Sequence, residues 1–382
     1  MSIVAEDVVT VLDPEHARSG PHTLRADAAG RLALAEPAEA GAGAGADQVW
    51  LSPGWVDLHA HIYDGVTQIS VRPDRVGLDQ GVHLLADAGS AGQATVRGLV
   101  DYVLPSAETA VRIWLNIGSH GLVHLREVAD PSFIDVDATL AAVAEHRELI
   151  CGIKVRSSGL IVGPMGLQPM QLARLVAREA GLPVMVHIGE APPPIGDVLD
   201  LLDEGDVITH CYHGKTGRPW LAGGTPAPTL RRALDRGVRL DVGHGAASFD
   251  VRVARAAVAA GTFPHSISTD IHIRNIAGPV YDLATVMTKL LHCGLSLPEV
   301  IRCVTTAPRD TIGVQEPWLT PDGLIRHATA FRVTEQAPSG RRYLDASGNP
   351  IEPDRHIVAI ATIRDGVTRP VGGFPGTPSI WR

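Results

Sequence analysis

The sequence predicts an α/β fold: a (β/α)8 TIM barrel carrying a small β-sandwich domain formed from both chain termini. Two observations predict it. The middle of the chain alternates short apolar runs with amphipathic stretches, while both ends are rich in β-branched residues punctuated by Gly and Pro. A length of 382 residues leaves room for one barrel and a small appendage.

Near the start, SIVAEDVVTVLD reads as a strand and HTLRADAAGRLALAEP as extended segments about a Gly turn. GAGAGADQ (41–48) reads as a flexible link. The candidate barrel strands follow in order: VDLHAH (56–61), HLLADAG (83–89), RIWLNIG (112–118), CGIKVR (151–156), PVMVHI (183–188), DVITHC (206–211), VRLDVG (238–243) and HSISTD (265–270). Between them, ATLAAVAEHREL and MQLARLVAREAG carry apolar residues at three- and four-residue spacing. The second is stopped by Gly181, with Pro183 beyond. GLIRHATAFRVTEQ and HIVAIATIRDGV supply β-rich segments near the other end. The expected boundaries are 53–319 for the barrel and 1–52 plus 320–382 for the small β domain.

Composition narrows the function. Lys and Arg total 33 against 42 Asp and Glu, a net charge of −9, which argues against nucleic-acid binding. No apolar run approaches the roughly 18 residues that suggest a membrane span. MSIVAEDVVT lacks a basic start followed by an apolar stretch, and the four cysteines form no CxxC pair, so a reducing cytoplasm is the expected compartment.

The 17 histidines carry the chemical signal. Residues i and i+2 share one face of a strand, so His59 and His61 in VDLHAHIYDG point the same way at its C-terminal end. In a barrel that end is the active-site face. Two neutral imidazoles there suit a zinc-class metal, although two satisfied polar residues at a strand end is the plainer alternative. Lys154 sits inside an apolar strand, where a cation must pair, lose its proton or be modified. His187, His210 and Asp270 end the fifth, sixth and eighth candidate strands. Each alone is more often structural. Together, at equivalent strand ends, they point to a metal site.

This order (His-x-His, Lys, His, His, Asp) resembles the metal-dependent amidohydrolase superfamily in its binuclear, carbamylated-lysine form. SPGWVDLHAH is similar to the family's Pro-Gly-hydrophobic-Asp-x-His-x-His opening. LADAGSAG, GIKVRSSG, THCYHG and DVGHG resemble a dihydroorotase-like subgroup labelled amidohydrolase/deacetylase, some of whose members cleave acetyl esters or amides of small α-substituted acids. The resemblance implies two divalent ions, zinc by default, with Mn, Co or Fe suited to the same ligands. His59, His61 and Asp270 would hold the more buried ion and His187 and His210 the more exposed one, with carbamylated Lys154 bridging them. It further implies hydrolysis of an amide or ester of a small carboxylate by hydroxide shared between the ions, Asp270 serving as general base and acid. A cyclic amide is the alternative substrate and a non-catalytic binding scaffold a minor one. Barrels of this family are often homo-oligomers, which is the expected assembly.

Dihydroorotases carry HxHxR at the first strand, whereas here Tyr63 stands in the Arg position, which turns the expectation away from dihydroorotate. Arg156, Tyr63 and His120 are the candidate substrate-binding residues. Arg72, Arg274, His244 and His272 lie in loops after barrel strands, where a surface ion pair or a loop hydrogen bond is the plainer reading. Asp87 is read as shaping a turn, Cys211 as a small core residue and His213 as a loop residue.

Overall fold

The structure, a computed structural model, describes residues 3–14, 19–39 and 48–372; the Gly/Ala link at 41–47 lies outside the described residues. Among the described residues, fourteen strands form two sheets. They are β1 (Ile3–Val11), β2 (Gly20–Asp27), β3 (Leu32–Pro37), β4 (Trp50–Pro53), β5 (Trp55–Ala60), β6 (Val82–Gly92) and β7 (Ala110–Asn116). The chain continues through β8 (Ile150–Ser157), β9 (Val184–Ile188), β10 (Val207–Thr209), β11 (Arg239–Asp241), β12 (His327–Thr334), β13 (His356–Arg364) and β14 (Val367–Pro370).

Strands β5 to β11 lie side by side in sequence order as one parallel seven-stranded sheet. Parallel neighbours need crossover connections, and helices such as Val136–Glu145, Gln168–Ala180, Pro228–Asp235 and Val251–Ala259 supply them. The helix at Gln168–Ala180 ends as its sequence dictates, on Gly181 in the left-handed conformation (φ 62°). Asp135 caps the helix at Val136–Glu145 by accepting from Ala138 N. Val56, Leu58, Leu84, Ala86, Trp114, Met185 and Val207, drawn from β5, β6, β7, β9 and β10, meet in one buried apolar cluster. Trp114, Met185 and Val207 each stand two residues before Asn116, His187 and Thr209, so strand alternation puts an apolar floor beneath the polar strand ends. Gly152 makes room for the Trp114 ring, which would lie 2.2 Å from a Cβ there.

The expected eighth strand, 265–270, is not continuous. It makes parallel bridges only at Asp241↔Ser266 and Ala60↔Ile271. Its backbone nevertheless bonds both sheet edges: Val242 N and His244 N donate to Ser266 O and Ser268 O on one side. On the other, Asp270 N donates to His59 O and His61 N to Ile271 O. The strand is interrupted because Ile267 N turns to Cys303 O and Asp270 takes a left-handed backbone (φ 49°). His210 (φ 68°) likewise ends β10 at Thr209, short of the expected residue 211.

The second sheet is mixed, in the order β14-β13-β12-β4-β1-β2-β3, and so combines residues 3–53 with 327–370. It curls back on itself. Leu32 N donates to Gly366 O and Leu34 N to Gly323 O, closing the sheet around Val9, Leu24, Leu51, Ala330 and Ile360. The segment leading into β13 also packs outward: Ala346 N bonds Phe249 O, and Ile357 N bonds the Thr288 hydroxyl. Among the described residues no helix is long and apolar enough to cross a membrane.

Candidate metal centre

His59 lies in β5 and His61 just beyond it, Lys154 in β8 and His187 in β9, while His210 and Asp270 stand on the turns described above. Non-glycine residues in the left-handed region store local strain, and two of these site residues carry it. Nε2 of His61 is 2.9 Å and Nε2 of His59 3.4 Å from Asp270 Oδ1. His59, His210 and Asp270 offer ligand atoms that all lie within 4.8 Å of one another. The His187 and His210 rings are 4.3 Å apart, and Lys154 Nζ is 3.5 Å from His59 Nε2. All six predicted residues therefore gather at the C-terminal ends of the parallel strands.

Hydrogen bonds fix the histidine tautomers. Thr209 donates its hydroxyl to Asp241 (2.7 Å), so its oxygen accepts from His59 Nδ1 (2.8 Å). His210 Nδ1 donates to Gly243 O (2.6 Å). In both rings Nε2 is left with its lone pair, and that of His210 is buried with no protein partner. Such an atom is costly unless a Lewis acid completes it. His61 Nδ1 lies 3.0 Å from Ser90 Oγ, itself placed by Ser90 N donating to Asp87 (2.8 Å). Asp87 also accepts from Ile62 N, the turn-shaping role read from the sequence.

Burial sets the charges. It drives His59 and His187 well below the usual imidazole range and His210 to about 3, so these rings are neutral, the form that binds metal. Burial pushes Asp270 upward, but His59, His61 and His210 outweigh it and hold the carboxyl well below its ordinary value. Lys154 is 1% exposed, and burial lowers it to about 7 against the pull of Asp270 and Asp241. Neutral imidazoles, an ionised carboxylate and a buried amine make a donor set that fits a transition-metal ion of the zinc class.

Three glycines shape the pocket wall. A Cβ at Gly245 would lie 2.4 Å from Asp270 Oδ2, one at Gly243 2.2 Å from Thr209 Oγ1, and one at Gly89 2.7 Å from Lys154 Cγ. Ser90, Thr209 and Asp241 escape sequence reasoning because their partners are remote; only these glycines within the quoted motifs signal the crowding.

The candidate substrate residues Tyr63, Arg156 and His120 differ in their surroundings. Tyr63 is buried in the core with its hydroxyl donated to Thr95 O (2.8 Å). Arg156 binds buried Glu127 with Nε (2.7 Å) and Nη2 (2.6 Å) and also donates to Leu125 O. Both side chains satisfy partners within the chain. His120 is exposed and stands edge-on to Phe133 at 5.7 Å. Arg72 and Arg274 are exposed. His272 is buried with its ring 6.3 Å from that of His61, and Cys211 is a buried free thiol. His213 accepts from Lys215 N and leaves a buried Nε2 without a partner.

The fold and the site together define a parallel α/β protein with a buried His/Asp metal-ligand cluster at its strand ends. No protein-family model matches the chain. A deacetylase of Brucella anthropi is 44% identical over 266 residues, 69% of this chain and 66% of the relative, so the match spans just under two thirds of that protein. A deacetylase of Enterococcus faecalis is 35% identical over 320 residues, 83% and 86% of the two chains. A crystal structure of a dihydroorotase superposes with a TM-score of 0.84 at 34% identity, covering 98% of this chain and all of that one. A crystal structure of an adenine deaminase gives 0.83 at 31%, covering 95% and 100%. The chain belongs to the amidohydrolase superfamily, with deacetylases among its relatives.

Proposed function

We propose that the protein is a metal-dependent deacylase of the (β/α)8 barrel type, removing an acetyl or similar acyl group from an amide or ester of a small carboxylate. The observation that carries this reading is the buried, tautomer-fixed lone pair at His210 Nε2, gathered with His59 and Asp270 within 4.8 Å.

On this reading His59, His61, His187, His210 and Asp270 would hold two divalent ions, zinc first among them. Lys154 would add a carboxylate ligand as a carbamate, formed when its neutral amine takes up CO2 and releases a proton. Bound ions supply positive charge that polarises the scissile carbonyl and acidifies the attacking water. The chain does the rest. The Asp270 carboxylate takes the water proton and delivers it to the leaving nitrogen or oxygen. His61 stands beside that carboxylate at 2.9 Å and keeps it oriented. Thr209, Ser90 and Gly243 O hold the three imidazoles in place, so no side chain needs to reorganise during turnover. The apolar floor beneath keeps bulk water out of the strand ends.

Cyclic amides, suggested by the dihydroorotase match, are the second reading. Position 63 disfavours it: no Arg stands there, and the Tyr63 hydroxyl is committed to Thr95 O. The test is a panel of N-acetyl amino acids, acetylated 2-hydroxy acids and cyclic ureides, assayed with zinc- and manganese-loaded protein alongside metal analysis. Turnover of an acyclic acetyl compound with one to two ions per chain is expected. Turnover by metal-free folded protein would sink the mechanism, and turnover of cyclic ureides alone would select the second reading.

A further inference from the structure

The far end of the parallel sheet, where β6 and β7 begin, holds a different kind of site. A cavity of about 240 Å³ lies there, at the seam between the two sheets, and is lined by Arg112, Arg309, Arg326 and Arg364 together with His83 and His327. Its acidic lining residues are Glu316 and Asp365, so four guanidiniums against two carboxylates leave an excess of two positive charges. The excess is sharper than the count. Glu316 is spent on Arg326 at 3.6 Å, while Arg112, Arg309 and Arg364 have no carboxylate within 4.0 Å among the described residues.

The two histidines add no charge, and their N–H groups are committed to backbone carbonyls. His83 Nε2 donates to Ala328 O (2.8 Å) and His327 Nε2 to Glu316 O (3.3 Å), leaving His327 Nδ1 to accept from Arg309 Nη2 (3.3 Å). Burial holds both rings neutral. Arg309 is 9% exposed, its Nε has no partner, and its Nη2 reaches only Gly54 O and His327, both at 3.3 Å. Arg112 and Arg364 donate to the carbonyls of Val111 and Glu108 respectively. Of the three, Arg309 is buried, Arg112 half-buried and Arg364 exposed at the mouth; the cost of burying a charged guanidinium without a counter-charge falls on Arg309. A protein of net charge −9 has carboxylates to spare, yet places none against these three.

We propose that this cavity binds a small multivalent oxyanion of the phosphate class, free phosphate or a phosphomonoester, held by Arg112, Arg309 and Arg364. Planar guanidiniums match tetrahedral oxyanions through paired N–H donors, and the volume suits one such ion with ordered water. The site lies at the opposite strand ends from the histidines, so it is separate from the metal centre.

Metal-replete enzyme is melted in potassium phosphate, in glycerol phosphate and in chloride of equal ionic strength, as wild type and as Arg112→Gln and Arg364→Gln. Phosphate at about tenfold its Kd should raise Tm by about 2 °C over chloride. Both variants should lose that rise while keeping their metal content and circular dichroism. A larger rise with glycerol phosphate identifies an esterified ligand, and an equal or smaller one the free ion. No phosphate-specific rise overturns the proposal, as does a rise kept in both variants, which would put the anion at the metal end. Should either variant fail to fold, dicarbonyl labelling of wild type decides: phosphate must protect Arg112 and Arg364, and unchanged labelling overturns the site.

Discussion

Lys289 Nζ lies 2.9 Å from Nε2 of His244. His244 Nδ1 donates to Gly245 O (2.8 Å), so Nε2 accepts from the lysine, which also donates to Pro279 O (2.7 Å). A fully buried lysine thereby ties the loop after β11 to the loop beyond Asp270, and the Gly245 of that first loop abuts the Asp270 carboxylate.

This arrangement has a pH signature. Burial lowers Lys289 to about 7, against the opposing pull of Asp345, Asp282 and Cys293. In the unfolded chain the amine titrates near 10.4. Between these values the unfolded chain holds a proton that the folded chain has released, so stability rises with pH across that window. Wild type should therefore gain Tm relative to Lys289→Met from pH 7 to pH 10. Parallel Tm curves for the two proteins would show that the amine does not titrate in the fold.

Lys154 is buried among His59, Asp270 and Asp241. The Lys154→Ala variant should lose bound metal and activity, with partial recovery when a short carboxylic acid is added to stand in for the bridge. Metal content measured before and after the addition checks this, and full metal retention in the variant would remove the bridging role.

Thr209 is the acceptor that keeps the His59 lone pair aimed inward. Thr209→Val keeps the shape and removes the acceptor. Metal affinity, read by competition with a chelator, should weaken by about 10–100-fold. An unchanged affinity would mean that the His59 tautomer is set elsewhere.

Asp270→Asn preserves size but cannot take a proton. Turnover should fall by roughly 10²–10⁴-fold, and near-normal turnover would assign the proton to another group.

The residues of the candidate metal centre were legible because strand ends in a parallel sheet face one way, so HxH, Lys, His, His and Asp could be read together before any coordinates. The eighth strand was less legible. Its β-like pattern is real, but Ser266 and Ser268 donate their hydroxyls to Asp241 and the backbone turns at Asp270, which no periodicity reveals. The partner of Arg156 could not be named from the sequence because Glu127 lies 29 residues away on a loop after β7. Ser90 and Thr209 were invisible for the same reason: a hydroxyl that orients a distant imidazole leaves no local trace.

The placement of β4 bears on how the chain is made. It lies between β1 and β12, and its Pro53 pairs with Ala328. On the ribosome, β12 emerges roughly 15–55 s after β4 itself, at about 5–20 residues per second. For that interval the nascent β4 presents an open hydrogen-bonding edge, and premature pairing with another polypeptide is the hazard that co-translational chaperones must hold off.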